Sequence, residues 1–339
     1  MTDRITADKP CQPPYSPEQR RELIGPLLQA VSRSFYLTLR VLPAPIRPQI
    51  SLAYLLARAT DTIADTEVLP AAQRVETLRE YAENIKAPTS RRTPNFGAQQ
   101  LAAALPGEQQ LLNRLTDCLQ MLGALSVADR ELITGLLETI ISGQIFDLER
   151  FPDGALTALG NDAELDRYTY LVAGCVGEFW TQMCQAYLPG LENLSIAAGV
   201  RFGKGLQLVN ILRDLPRDYA IGRCYLPVKK PHDPAEVGPV YAKWLDTAVA
   251  HLDAGWEYTL AIPATQKRLR LACVWPLWIG LKTIARLRHA NPLDPTQRVK
   301  VSRAEVYGIM AQSIVQAGNA ACLDKIYQRL RQPAAQRMF

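Results

Sequence analysis

The chain holds only three histidines, His232, His251 and His289, and none has the spacing of an imidazole metal site. Its seven cysteines (Cys11, Cys118, Cys175, Cys184, Cys224, Cys273 and Cys322) form no CxxC pair, and the odd count leaves at least one unpaired. That usage points to buried thiols in a reducing compartment. No GxSxG elbow, no GxGxxG after a strand and no GxxxxGK[ST] before a helix is present, so the sequence offers no signature of serine-hydrolase, dinucleotide-fold or P-loop chemistry. The longest apolar stretch, around LACVWPLWIGL, is about half of the ~20 residues needed to cross a bilayer and reads as a buried helix. No transmembrane segment is expected. The N-terminus, MTDRITADKPCQPPYSPEQ, lacks the apolar core of a secretory signal, which makes the cytoplasm the expected location. Dense Lys/Arg runs with interleaved aromatics are missing too. The net charge of +5 therefore suits an anionic small substrate better than nucleic acid.

What is present is a helix former's composition, 48% hydrophobic and 21% charged with 7% aromatic residues. Apolar residues recur at helical spacing from a helix opening near Ser16 (Leu23, Leu27, Val31) and from a second one after Pro45 through Ile50, Tyr54, Ala57 and Asp61. Further helices are expected over 73–86, 108–123, 128–148, 165–187, 193–215, 241–260, 265–288 and 302–330. APTSRRTPNFG and the stretch from Tyr219 to about Gly238 read as loops. Strand-like alternation is nowhere sustained. The expectation is a single all-α domain over residues 1–339, with residues 1–16 as a loose arm.

Two acidic pairs carry the chemistry. Asp61 and Asp65 lie in ARATDTIADT, and Asp214 and Asp218 in LQLVNILRDLPRDYAIGRCYLP. On a helix, positions i and i+4 share a face, so each pair projects two carboxylates in one direction. Two such faces opposed across a bundle would form a magnesium cage for a diphosphate, since Mg²⁺ takes a few carboxylates and completes its octahedron with water and phosphate oxygens. Arg58 shares the first face, three positions before Asp61, where it is placed to bind a diphosphate oxygen. A single DxxxD is more often a solvated, salt-bridged face. The flanks of this one, AYLLARATDTIAD, are largely apolar, and buried carboxylates demand partners or metal. Gln207, Asn210, Asp214 and Asp218 step along the second helix at intervals of three, four and four, with Arg213 and Arg217 beside them. Pro216 between the carboxylates is expected to kink this helix or end it near Leu215, which weakens the spacing argument for Asp218.

Two further segments are weaker signals. SRSF, at Ser32, Arg33, Ser34 and Phe35, reads first as a helix terminus. In DRYTYLVAGCVGEFW, Tyr168 and Tyr170 offer phenols, as readily core as functional, and Ala173, Gly174 and Gly177 permit either close helix approach or room for a long ligand.

With SRSF, ARATDTIAD, YTYLVAGCVG and LQLVNILRDLPRD in this order, the chain resembles the squalene/phytoene synthase family of head-to-head isoprenyl synthases over most of residues 20–310. The resemblance implies the all-α isoprenoid synthase fold, with a central cavity and Mg²⁺ held between two aspartate-rich helices by Asp61, Asp65, Asp214 and Asp218. It implies substrate-binding roles for Ser32, Arg33, Phe35, Tyr54, Arg58, Gln207, Asn210 and Arg213. Tyr168, or Tyr170 in a shifted register, matches the catalytic tyrosine, and Arg223 and Tyr225 of GRCYLP match a flap that closes over the site.

Within the family the chain is most similar to the squalene-forming branch, because QRVKVSRAEV resembles the segment that holds NADPH phosphates there; Lys300 and Arg303 are the matching positions, and an ordinary solvated loop is the plain alternative. Asn210 is also carried over as a cofactor-side residue. Ala64 departs from the acidic residue often found before the last aspartate of the first motif. The implied reaction condenses two farnesyl diphosphates to presqualene diphosphate and reduces it with NADPH to squalene. Dehydrosqualene, phytoene or hydroxysqualene formation without that reduction is the close alternative, and a non-catalytic helical binding or assembly protein the distant one. A peripheral contact with the membrane surface is expected of an enzyme with an oily product, with no residue assignable to it; oligomeric state is not legible.

Overall fold

The computed structural model describes residues 16–32, 35–66, 68–88, 96, 98–152 and 154–336. Among these, the α-helices are α1 (Pro17–Glu22), α2 (Leu28–Ser32), α3 (Phe35–Val41), α4 (Arg47–Ala64), α5 (Ala71–Lys86), α6 (Ala98–Ala103), α7 (Pro106–Asn113), α8 (Leu115–Gly123), α9 (Val127–Arg150), α10 (Asp162–Thr169), α11 (Cys175–Tyr187), α12 (Ile196–Ala220), α13 (Pro234–Ala261), α14 (Lys267–Leu287), α15 (Arg303–Gln316) and α16 (Ala320–Ala335). Leu23–Leu27 and Tyr170–Gly174 are π-helical turns. The only strands among the described residues, β1 (Thr157–Ala158) and β2 (Arg223–Cys224), pair in parallel. The all-α expectation holds.

Local chemistry sets the long helices. The Ser126 side chain accepts a hydrogen bond from the Asp129 amide to open α9, and Ser195 accepts one from Ala198 to open α12. Leu52, Leu55, Leu56, Ala59 and Ile63 of α4 and Leu208, Ile211, Leu212 and Leu215 of α12 are buried, so each helix turns an apolar stripe to the core and leaves its acidic positions on another face.

Several boundaries differ from the sequence reading. Helix α12 runs through Pro216 to Ala220 instead of ending near Leu215. A proline at 216 cannot bond the carbonyl of residue 212, and the Tyr241 hydroxyl donates to the Leu212 oxygen at 3.2 Å in its place. Arg114 breaks the 108–123 helix into α7 and α8, and residues 317–319 separate α15 from α16. Helix α13 opens at Pro234, capped by Asp233, so the loop after α12 is shorter than expected. The short α3 and α6 fall where no helix was anticipated.

The glycines around Tyr170 serve close approach. A Cβ on Gly177 would stand 2.0 Å from the Gly199 carbonyl oxygen, and one on Gly203 would stand 2.2 Å from that of Ala173. This seam draws α11 and the π-turn against α12. Gly143 does the same on the other side, since a Cβ there would meet Leu171 and Val172 at 2.9 Å. The π-turn is thereby clamped between α9 and α12, with Tyr168 just ahead of it.

Candidate active site

Four helices, the π-turn and the β2 segment build an acidic cavity of about 310 Å³. The end of α4 supplies Asp61, Ala64 and Asp65; α9 supplies Ile140, Gln144, Asp147 and Leu148; Gln207 comes from α12, Tyr168 from α10, Val172 from the π-turn, and Arg223 and Tyr225 from β2 and beyond. Gly222 makes the last contribution possible. Its φ of +82° lets the chain reverse after α12, and a Cβ there would lie 2.9 Å from the Ala155 carbonyl oxygen. The Thr157 amide then bonds the Gly222 oxygen at 2.9 Å, and the Leu159 amide bonds the Cys224 oxygen at 3.0 Å. The paired strands fix the direction in which Arg223 and Tyr225 leave the backbone.

Asp61 accepts a 2.8 Å hydrogen bond from Gln144 Nε2 and lies 3.5 Å from Arg58 Nη1. Its side chain stays 46% accessible while protein surrounds it, the position of a group in the wall of a wet cavity. Burial pushes its carboxyl up to about 6, with Arg58 opposing and Asp65 adding to the rise. Asp65 caps α4 and sits at the rim, its amide bonded to the Asp61 oxygen at 2.8 Å; its carboxyl is also raised by burial, against the pull of Arg223 and Arg58. Arg58 pairs with Glu108 of α7 as well. The Arg58 Nε and Gln144 Oε1 atoms are buried without a partner among the described residues. A second cavity of about 290 Å³ lies against Arg58, Thr62, Asp65 and Glu108.

On α12, Asp214 is held by its neighbour Arg213, at 2.8 Å from Nε and 2.5 Å from Nη2. Asp218 is pushed up to about 7 by burial, by Asp214 and by Asp147, against Arg223 and Arg217. The 214/218 spacing is therefore real on one continuous helix. Asn210 is exposed and lies outside the cavity wall.

Arg223 is the electrostatic hub. It bonds Asp147 at 2.7 Å and opposes the burial-driven rise of the carboxyls of Asp65, Asp147 and Asp218, which come from three different elements. Burial opposes its own charge and is outweighed by Asp147, Tyr225 and Tyr168 together, so its pKa is raised. Tyr225 donates to the same carboxylate at 2.5 Å and stacks on Tyr168 with ring centroids 4.9 Å apart. Tyr168 is buried beside Asp147 and Tyr225, and burial, then Asp147, holds its phenol well above the ordinary range. Tyr170 points elsewhere and donates to Glu178 at 2.9 Å. Of the two tyrosines, only Tyr168 lines the cavity.

The remaining residues singled out from sequence are dispersed. The buried Ser32 hydroxyl donates to the Leu28 carbonyl at 2.5 Å within its own helix, and Phe35 stacks on Tyr54 at 5.3 Å, away from the cavity wall. Arg33 lies outside the described residues. Lys300 and Arg303 are exposed and line neither cavity. Sequence reasoning missed Gln144, Asp147 and Glu108. The signal for the first two was SGQIFDLER, where Gln144 and Asp147 share a helix face at i, i+3 with Ile140 and Leu148 beside them.

The arrangement is fitted to an anionic ligand that carries its own cation. Among the described residues no three carboxylates converge into a ready-made metal site. The donor set nevertheless suits a divalent magnesium ion: all oxygen, with two carboxyl groups raised toward neutrality by burial and mutual repulsion, and with phosphate and water left to complete the shell.

Sequence comparison supplies the family. Residues 28–305 match squalene/phytoene synthase, and the chain belongs to that family of prenyltransferase-type enzymes of isoprenoid biosynthesis. It is 30% identical over 241 residues to the presqualene diphosphate synthase of Rhodopseudomonas palustris, a match covering 66% of this chain and 74% of that one. It is 29% identical over 207 residues to the squalene synthase of Eremothecium gossypii, covering 59% of this chain but only 44% of the fungal protein. A ligand-bound TcSQS structure shares the fold with a TM-score of 0.73 at 21% identity, over 94% of this chain and 98% of that one.

Proposed function

We propose that this protein condenses two farnesyl diphosphates head to head to presqualene diphosphate. The observation that carries the reading is the cluster of Asp65, Asp147 and Asp218 around the guanidinium of Arg223, beside a cavity that also presents Asp61 and Tyr168. Magnesium, a divalent cation of the kind this family uses, would be held by Asp61, Asp65, Asp214 and Asp218 and would stabilise the departing diphosphate electrostatically.

The chain's own groups do the rest. Arg58, with its unpartnered buried Nε, and Arg223 bind diphosphate oxygens, and Gln207 orients them. Loss of diphosphate from the donor leaves an allylic cation, shielded by the rings of Tyr168 and Tyr225 and by Ile140, Leu148 and Val172. The acceptor's double bond attacks this cation, and loss of one proton from the donor carbon that carried the diphosphate lets that carbon close the cyclopropane ring onto the acceptor's cationic centre. Tyr168, stacked on Tyr225 and beside Asp147, is the group that relays this proton. The named relative from Rhodopseudomonas palustris supports stopping at this product.

The second reading continues to squalene by hydride capture from NADPH, with Asn210, Lys300 and Arg303 on the cofactor. The fungal squalene synthase supports it. Incubation with farnesyl diphosphate and Mg²⁺, with and without NADPH, separates the two by mass spectrometry. Presqualene diphosphate in both cases supports the first; squalene only with NADPH supports the second. Dehydrosqualene or hydroxysqualene irrespective of NADPH moves the protein to those branches, and no consumption of farnesyl diphosphate overturns both readings.

A further inference from the structure

Helix α15 turns one face inward and leaves the opposite one bare. Inward, Ile309 and Ser313 are buried, Trp275 Nε1 donates to Ser313 Oγ at 2.8 Å, and Glu305 accepts from Lys282 at 3.1 Å and from Arg286 at 2.7 Å. Outward, Tyr307, Ile314 and Val315 are 62%, 56% and 79% exposed, the last being the most exposed of the chain's large hydrophobic side chains among the described residues. Ala304, Gly308 and Ala311 are exposed with them. At ~100° per residue these six positions fall within about a third of the helix circumference, an apolar stripe facing solvent where a surface helix normally carries charge.

The exposed charges of the chain from residue 298 to residue 336, which contains this stripe, have one sign. Arg298, Lys300 and Arg303 are exposed at its N-terminal end, and Lys325 and Arg329 on α16. The Lys267 side chain stands at the other end of α15, its Cε 3.3 Å from where a Cβ on Gly318 would be. From residue 298 to residue 336 the only acids are Glu305 and Asp324. Both are engaged within the fold, Glu305 by the two cations of α14 and Asp324 by Trp256 Nε1 at 2.7 Å. A second copy of the same face would bring like charges together, and nucleic acid has no use for an aliphatic stripe.

We propose that α15 lies flat on an anionic lipid bilayer, with Tyr307, Ile314 and Val315 in the boundary between headgroups and acyl chains and the surrounding cations on the headgroups. Neither reading of the catalysed reaction is needed for this, since the apolar stripe and the cavity share no residue.

The test is flotation of the full chain with vesicles of phosphatidylcholine alone and of phosphatidylcholine mixed with phosphatidylglycerol. Binding is expected to the mixed vesicles, weaker on the neutral ones and weakened by salt. Ile314→Asp with Val315→Asp is expected to lower partitioning by about tenfold or more, because that term scales with buried apolar area. Lys325→Ala or Arg329→Ala is expected to lower it about fivefold each, the equivalent of ~1 kcal/mol per basic residue at an anionic surface. Circular dichroism and melting of the variants check that these exposed substitutions leave the fold intact. The proposal is overturned if the wild-type chain stays with the soluble fraction on both vesicle types, or if the aspartate variant floats as well as the wild type. It is overturned in favour of self-association if the chain sediments as a dimer that the aspartate variant abolishes.

Discussion

The Tyr225 hydroxyl donates a 2.5 Å hydrogen bond to Asp147, the carboxylate that also pairs with Arg223 at 2.7 Å. One buried acid thus aims two side chains, Arg223 and Tyr225, of the segment after α12. Asp147→Asn keeps the shape and removes the charge. Turnover is expected to fall on the order of 10²-fold, as when a preorganised electrostatic partner is lost. Steady-state kinetics on a variant shown to be folded checks this, and activity within a factor of about two would remove Asp147 from the site.

Asp61→Asn combined with Asp214→Asn withdraws one carboxylate from each aspartate helix. Farnesyl diphosphate consumption is expected to drop by at least about 10³-fold at saturating magnesium. Intact turnover in the double variant would sink the diphosphate-ionisation reading altogether.

The carboxyls of Asp61 and Asp218, raised to about 6 and about 7, fix the sign of a stability effect. A carboxyl whose folded pKa lies above its unfolded value costs stability while it is charged, and the cost disappears as pH falls through the folded pKa. With chelator present, the melting temperature is therefore expected to rise between about pH 8 and about pH 5.5 as far as these two groups determine it. Magnesium with inorganic diphosphate should flatten or reverse that slope, because the charged forms are then the favoured ones. A chelated protein that melts lower at the acid end of this window, with Asp61→Asn and Asp218→Asn leaving that trend unchanged, would contradict the assignment.

Gly222→Ala probes the turn. A side chain at φ +82° costs about 1–2 kcal/mol, and the new Cβ meets the Ala155 carbonyl. The melting temperature should drop and turnover fall by about tenfold, since Arg223 is the next residue. A stable variant with normal turnover would show that the turn does not position Arg223.

The aspartate helices were readable because i, i+4 spacing and apolar flanks are local properties, and the structure keeps both pairs as read. Pro216 misled because the sequence does not show that Tyr241, on another helix, takes over the Leu212 carbonyl. Asp147 and Gln144 were overlooked because one acid and one amide in a long helix look like surface until α4 and β2 are folded against them. Glu108 reads as an ordinary helix-opening acid, and it does bond the Leu105 amide, yet it also reaches Arg58 fifty residues away. Between Tyr168 and Tyr170, spacing could not decide. The fold puts Tyr168 in the cavity wall and turns Tyr170 to Glu178, through a strand pair and a π-turn that have no local signature of their own.

The π-turn at Tyr170–Gly174 adds one backbone unit to what would otherwise be a continuous helix from Asp162 to Tyr187. It acts as a phase shift. Removing a single residue there would leave both flanking helices helical and rotate one against the other by about 100°, so that Tyr168 and the glycine seam on α11 could no longer face their partners together. Length across this segment is thus constrained more tightly than identity: most substitutions leave the register alone, whereas any one-residue deletion changes which side chain faces the cavity.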